Sequence, residues 1–280
     1  MPLTKVLISV KTYPSLSEKY DELVCTAGFR EDGSWIRIYP VPFRKLDYSK
    51  RYHKWEWIEM NLVNNDSDFR PESYRPYSID GEIKTIGEVG TSQNWKERKH
   101  FSFKKVHTNL SELIDEAKNP HLRTSLAVVK PKKIIDFIWE EVEREWPKNK
   151  LNSIKGNQMQ GCLFDEKDTE EMFKVVEKIP YKFSYVFTTE DDVKRTIMIE
   201  DWELGVLYLN CLKRANGNEK ETCQKVKEKY FDYMTSKCDL YFFMGTTLKF
   251  HNVAPNPFII IGVFYPPKTK EKDTLQLSMF

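Results

Sequence analysis

The cations with the best chemical company in this sequence are Lys11, Arg37, Arg44, Arg70 and Arg75, each set among aromatic or β-forming residues rather than in an open charged run. Arg37 stands between Ile36 and Ile38, Arg44 follows Pro42 and Phe43, and Arg70 and Arg75 flank Pro71-Glu72-Ser73-Tyr74. A guanidinium so placed can grip a phosphate through two N–H donors or stack on a base. Trp55 and Trp57 alternate with Glu56 and Ile58, so on a strand they share one face and offer a stacking platform. Three more basic segments carry interleaved rings or turns: residues 50–55, 95–107 and 130–133. This pattern suits nucleic acid, where cations neutralise phosphates and rings take bases. The same residues admit a structural reading, in which Arg37 pairs with Glu72 across a sheet while Arg70 and Arg75 are solvated.

The carboxylates Asp191, Asp192, Glu200, Asp201 and Glu203 form a second cluster, with Lys194 near. They open an alternative, a metal-dependent nuclease. Acids at 201 and 203 are also what the positive end of a helix attracts. No GxxxxGK(S/T), GxGxxG, HExxH or GxSxG pattern occurs, so an enzyme is the weaker expectation and no cofactor or metal is expected. A third reading makes the rings and arginines a protein-interaction surface, whose binding would be insensitive to salt.

The elements that must position these residues are mostly strands. Val6–Thr12, Glu22–Phe29 and Trp35–Pro40 are β-forming runs parted by turn signals, with Glu31-Asp32-Gly33-Ser34 as a hairpin. Trp55–Val63 continues the meander. A helix is expected over Ser111–Asn119 with Ser111 as cap, then a strand over Ser125–Pro131; Lys132–Trp146 is ambiguous, its first half alternating like a strand and its second half acidic and helix-compatible. Further on come a helix at 168–177, strands at 182–187 and 195–199, a helix capped by Asp201, a longer one over Glu219–Ser236, and closing strands at 240–245 and 258–265. The expected class is α+β and β-rich: an N-terminal OB-like antiparallel barrel over 1–150, a mixed α/β second half over 151–265, and a polar tail over 266–280.

Composition frames this. Hydrophobic content of 40% with 31% charge describes a globular chain, and a net charge of only +2 requires any basic surface to be local. Rings are abundant, with 17 Phe, 14 Tyr and 7 Trp. No apolar run long enough to span a membrane and no signal-peptide layout is present, and five cysteines without CxxC or zinc spacing fit reduced thiols; a cytoplasmic location and no membrane partner are expected.

Two resemblances add to this. Cys25-Thr26-Ala27-Gly28, then Gly33-Ser34-Trp35-Ile36-Arg37, then Pro71-Glu72-Ser73-Tyr74 resemble the dual-OB domain family of prokaryotic conflict and DNA-repair neighbourhoods over about the first 80 residues. The family's pattern is Cys-x-Ala-Gly-Ile, Trp-Ile-Arg-Pro and Gln-Pro-Glu-Asn; here Ile38 and Tyr39 precede Pro40, and Ser73 replaces Asn. The resemblance implies an OB-type barrel, nucleic-acid binding with DNA favoured over RNA, and a setting in phage defence or repair alongside an operon-encoded protein partner. At the other end, Gln276-Leu277-Ser278-Met279-Phe280 resembles the bacterial sliding-clamp-binding motif Gln-Leu-(Ser or Asp)-Leu-Phe, with Met279 at the second Leu. It follows a polar leash, 266–274, and implies clamp recruitment through Gln276, Leu277, Met279 and Phe280. The other reading of this tail is that Leu277 and Phe280 dock on the protein's own surface. Gln160–Phe164 is a weaker match.

Overall fold

The computed structural model describes residues 3–17, 21–46, 48–78, 80–152 and 176–268. The clamp-like pentapeptide, its weaker match at 160–164 and most of the helix expected at 168–177 lie outside the described residues.

β1 (Thr4–Lys11) is buried on both faces from Val6 onward. Its even side, Val6 and Ile8, packs into a core with Ile36, Ile38 and Ile58, while Leu7 and Val10 face a second core shared with the rest of the chain. A bulge between Ile8 and Val10 re-aims the strand end. Opposite it, Gly28 is obligatory: a Cβ there would sit 2.1 Å from the Leu7 carbonyl oxygen. β3 (Asp21–Phe29) and β4 (Trp35–Val41) form the expected hairpin, with Gly33 at φ +82° in its turn. β2 (Ser15–Ser17) adds to β3; β5 (Glu56–Met60) and β8 (Ile83–Glu88) extend the sheet on one side, β7 (Ser73–Pro76) and β6 (Leu62–Asn64) on the other. The order is β6-β7-β4-β3-β1-β5-β8, curled into an OB-like half-barrel. One pairing, β4 with β7, is parallel. The continuous strand read over Trp55–Val63 is broken into β5 and β6 because they join opposite ends of this sheet.

Beyond it lie α1 (Ser92–Ser102), β9 (Val106–His107), α2 (Leu110–Lys118) and β10 (Leu126–Val129). α2 starts earlier than expected: the Asn109 carboxamide, not Ser111, accepts the N–H groups of Ser111 and Glu112 at 3.0 and 3.3 Å. β11 (Lys133–Glu141) resolves the ambiguous segment as strand and pairs with β12 (Tyr181–Thr188), which pairs with β13 (Arg195–Met198). α3 (Trp202–Arg214) and α4 (Glu219–Lys227), the latter running through a π turn to Lys237, precede the β14 (Tyr241–Thr246) and β15 (Phe258–Phe264) hairpin. β9, β10, β14 and β15 make a four-stranded sheet. Phe137, Phe183, Tyr185, Phe187, Tyr208 and Phe242 fill the core beneath the helices. The strand-rich α+β class is as read. The β11–β12 pairing, however, joins residues on either side of the 150/151 boundary expected from sequence.

The two parts are joined by apolar packing. Leu7, Val10 and Phe29 of the half-barrel share one core with Leu126, Val128, Phe243, Ile261 and Phe264.

Candidate nucleic-acid interface

The five cations singled out by sequence do not converge. Arg37 is 2% exposed; its guanidinium donates to the Ser125 hydroxyl (2.8 Å), the Ser125 carbonyl (3.1 Å) and the Thr246 carbonyl (3.3 Å). The direct Arg37–Glu72 pair is replaced by a relay, since Glu72 accepts from the Ser125 N–H at 3.2 Å and hydroxyl at 2.8 Å. Arg70, expected in solvent on the structural reading, is buried and held by Asp68 (Nε to Oδ1, 2.8 Å) and the Thr246 carbonyl. These two arginines tie the half-barrel to β10 and β14, because a buried guanidinium needs several acceptors to offset its lost hydration. Arg44 is paired with Glu22 at 2.8 and 2.6 Å, Arg75 is exposed on β7, and Trp57 packs against Phe101 at 5.4 Å.

Lys11 and Trp55 do meet, in a cleft of about 530 Å³ at the seam between the two parts. Lys11, at the end of β1, lies 4.3 Å from the Phe43 ring centroid and 5.3 Å from that of Trp202, and donates to the Tyr52 carbonyl at 3.0 Å. Burial, helped by the nearby Lys54 ammonium, lowers its pKa to about 8. Lys54 is pinned to Asp201 (2.7 Å) and Glu203 (3.2 Å) on α3. Burial works against its charge, yet those two carboxylates hold its pKa above the ordinary value. Asp201 also caps α3, its Oδ1 accepting the Glu203 N–H at 3.2 Å, as the sequence led us to expect.

The opposite wall is α1. Arg98 lies 4.9 Å from the Trp55 ring and 5.1 Å from the Trp95 ring, so its guanidinium makes a cation–π contact with both indoles. Its Nε–H donates to the Val89 carbonyl at 2.8 Å; among the described residues the terminal nitrogens have no hydrogen-bond acceptor, and Arg98 is one of the residues lining the cleft. Tyr265 packs against Trp95 with ring centroids 5.4 Å apart and planes tilted by 59°, and it too lines the cleft. Both indoles stand on left-handed backbone, Trp55 at φ 71° and Trp95 at φ 61°, the latter third in a row after Gln93 and Asn94. Bulky residues are costly there, and such strain collects at ligand sites. In the sequence 95–107 stands out only as a basic, ring-bearing segment; no local signal marks Trp202 as part of a site or shows that α1 and α3 line the same cleft.

The alternative metal site does not assemble. Asp191 accepts from the Ser111 hydroxyl at 2.7 Å and from Arg195 at 3.0 Å, Asp192 pairs with Lys132 at 2.8 Å, and Asp201 and Glu203 are taken by Lys54. Among the described residues, no three His, Cys, Asp or Glu side chains come together as a cation would require.

Residues 105–280 match a family described as a domain of unknown function, DUF8757. The chain belongs to that family. Residues 2–104 match a second such family, DUF8758, so the cleft is built across the line where the two matches meet. No curated protein matches. Among solved structures the chain is similar to a murine DNA binding protein bound with ds DNA, at 10% identity and a TM-score of 0.32, covering 96% of this chain and 98% of that one. So loose a superposition carries no argument about the ligand of the DUF8757 chain. Among the described residues, no helix is long and apolar enough to cross a membrane.

Proposed function

We propose that this protein binds unpaired nucleic acid in the seam cleft, with phosphates on Arg98 and Lys11 and bases against Trp95, Trp202 and Tyr265. The observation that carries the reading is Arg98: a guanidinium in contact with two indoles, on the wall of a cleft of ligand size, with no hydrogen-bond acceptor for its terminal donors among the described residues. Hydrogen bonds and rings are then in place before a strand arrives, and little entropy is lost on binding.

The test is a tryptophan-fluorescence titration with a short oligothymidylate at several salt concentrations. Two neutralised phosphates on a single strand predict a log affinity against log salt slope of about −1.4, and Arg98→Ala should reduce its magnitude by about 0.7. A salt-independent affinity, or none, refutes the reading; the former would instead favour the protein-interaction surface. DNA is the expected polymer, and matched oligoribonucleotides give the comparison.

Recruitment by a sliding clamp completes the proposal and rests on the sequence of Gln276–Phe280. A clamp would raise the local concentration of DNA at the cleft, making a weak affinity sufficient for an adaptor or sensor in genome defence or repair. Clamp binding that survives deletion of those five residues removes this part of the proposal and leaves the cleft untouched.

A further inference from the structure

Rings and cations continue past the wall of the seam cleft. The Lys229 ammonium stands 5.7 Å from the Tyr265 ring centroid and 4.1 Å from that of Tyr233. Arg98 touches Trp95 at 5.1 Å, and Trp95 touches Tyr265 at 5.4 Å. One chain of contacts therefore leads from Arg98 through Trp95, Tyr265 and Lys229 to Tyr233. Its first three members line the cleft; its last, Tyr233, is 46% exposed. Among the described residues no carboxylate pairs with Lys229, whose ammonium is held by rings alone.

Lys229 and Tyr233 both stand on the π turn that continues α4, Glu228–Tyr233. The Met234 N–H reaches past Tyr230 to the Lys229 carbonyl, and the Tyr230 carbonyl accepts the Tyr185 hydroxyl. A side chain inserted into a helical ladder deforms it, and single π turns gather at functional sites. Tyr230 and Met234 go into the core, while Lys229 is half-buried and Tyr233 exposed. A second cation lies close by: Lys268 donates from its ammonium to the Thr235 carbonyl at 2.8 Å, and the charges of Lys229 and Lys268 both reach the Cys238 thiol. Of the turn's own acids, Glu228 is held by Lys225 at 2.9 Å, which leaves Asp232 to oppose the two lysines.

We propose that an unpaired strand held in the seam cleft continues over Tyr265 onto this turn, where Lys229 meets a further phosphate and the exposed ring of Tyr233 takes a further base. This track depends on the cleft holding a strand, and it adds an element, the π turn, that the cleft lacks. A ring offers its face to any base and a lysine its charge to any phosphate, so the track adds affinity with strand length and no sequence preference.

The experiment is a tryptophan-fluorescence titration of the full chain with oligothymidylates of about 3 and about 8 nucleotides, the shorter filling the cleft alone and the longer able to reach the turn. The native chain should bind the longer strand about tenfold more tightly or better. Tyr233→Ala should weaken the longer strand about fivefold or more, with Tyr233→Phe close to native, and Lys229→Ala should lower the magnitude of its salt slope by about 0.7. Affinity for the shorter strand should stay unchanged in all three variants, which also reports that the cleft is folded. Equal native affinity for the two strands, or variants that hold the longer strand as the native chain does, overturns the track and leaves the cleft standing. A loss shared equally by both strands would assign the two side chains to the fold of the cleft and overturns the track as well. If neither strand binds the native chain, the cleft reading falls and the track with it.

Discussion

Lys11 is where the chemistry of the cleft can be read through a single proton. Its ordinary pKa is 10.5 and in the fold it is about 8, lowered first by burial and then by Lys54. Between those values the unfolded chain holds a proton that the folded chain has lost, so stability on this account rises with pH from 8 to 10.5. Below pH 8 both states are protonated, and the buried ammonium costs the fold about 3 kcal/mol. Lys11→Met should therefore stabilise the protein at pH 7 and lose that advantage as pH approaches 10, which chemical denaturation at a series of pH values will show. A residue kept charged at such a cost has a use for its charge. Oligonucleotide affinity should fall as pH passes 8 in the native chain and stay flat in the variant, since a phosphate favours the protonated form. A phosphate-independent Lys11 would give parallel curves.

At the scale of elements, α3 is the piece on which the cleft depends. Asp201 does two jobs at its start, as helix cap and as the partner of a buried Lys54. Asn caps a helix as well as Asp does, whereas Ala does not, so the two substitutions separate the jobs. Asp201→Asn should lose only the ion-pair share, and Asp201→Ala about 1 kcal/mol more; equal losses would mean that the cap contributes nothing. Removing Lys54 alone leaves Asp201 buried and unpaired and should cost more than replacing both by apolar residues. The Asp201 cap was legible in the sequence because it is a local rule: a capping residue three positions before an apolar stripe. The β3–β4 hairpin and the strand that forms β12 were legible for the same reason, since period and turn chemistry act over a few residues. α1 was not. Gln93, Asn94 and Trp95 leave the right-handed region in succession, which no residue type in that run announces. Nor could spacing reveal that Arg37 and Arg70 point inward. An isolated Arg among β-formers looks alike whether its acceptors are phosphates or the carbonyls of a strand 209 residues away, as the Arg37 to Thr246 bond is.

For the whole molecule, the seam decides whether the protein acts as one body. Half-barrel and C-terminal sheet share a core in which Phe243 touches Phe29, Trp35, Trp55 and Phe264, with ring centroids 5.6 to 6.3 Å apart. Trp55 is at once part of that core and the platform under Arg98. Packing at the seam and geometry in the cleft are thus set by the same side chains, and what loosens one loosens the other. Phe243→Ala removes a fully buried ring at their centre and should cost about 3 to 5 kcal/mol. Because the cleft draws Lys11, Trp55 and Arg98 from one side and Trp202 and Tyr265 from the other, a bound strand would hold the seam closed. Ligand at about a hundred times its dissociation constant adds about 2.7 kcal/mol to whatever unit must be folded to bind it. In thermal melts of Phe243→Ala, an oligothymidylate should raise the midpoint of a single transition, restoring much of what the ring contributed. Two transitions, only the lower of them moved by ligand, would place the binding surface on one part alone and divorce it from the seam.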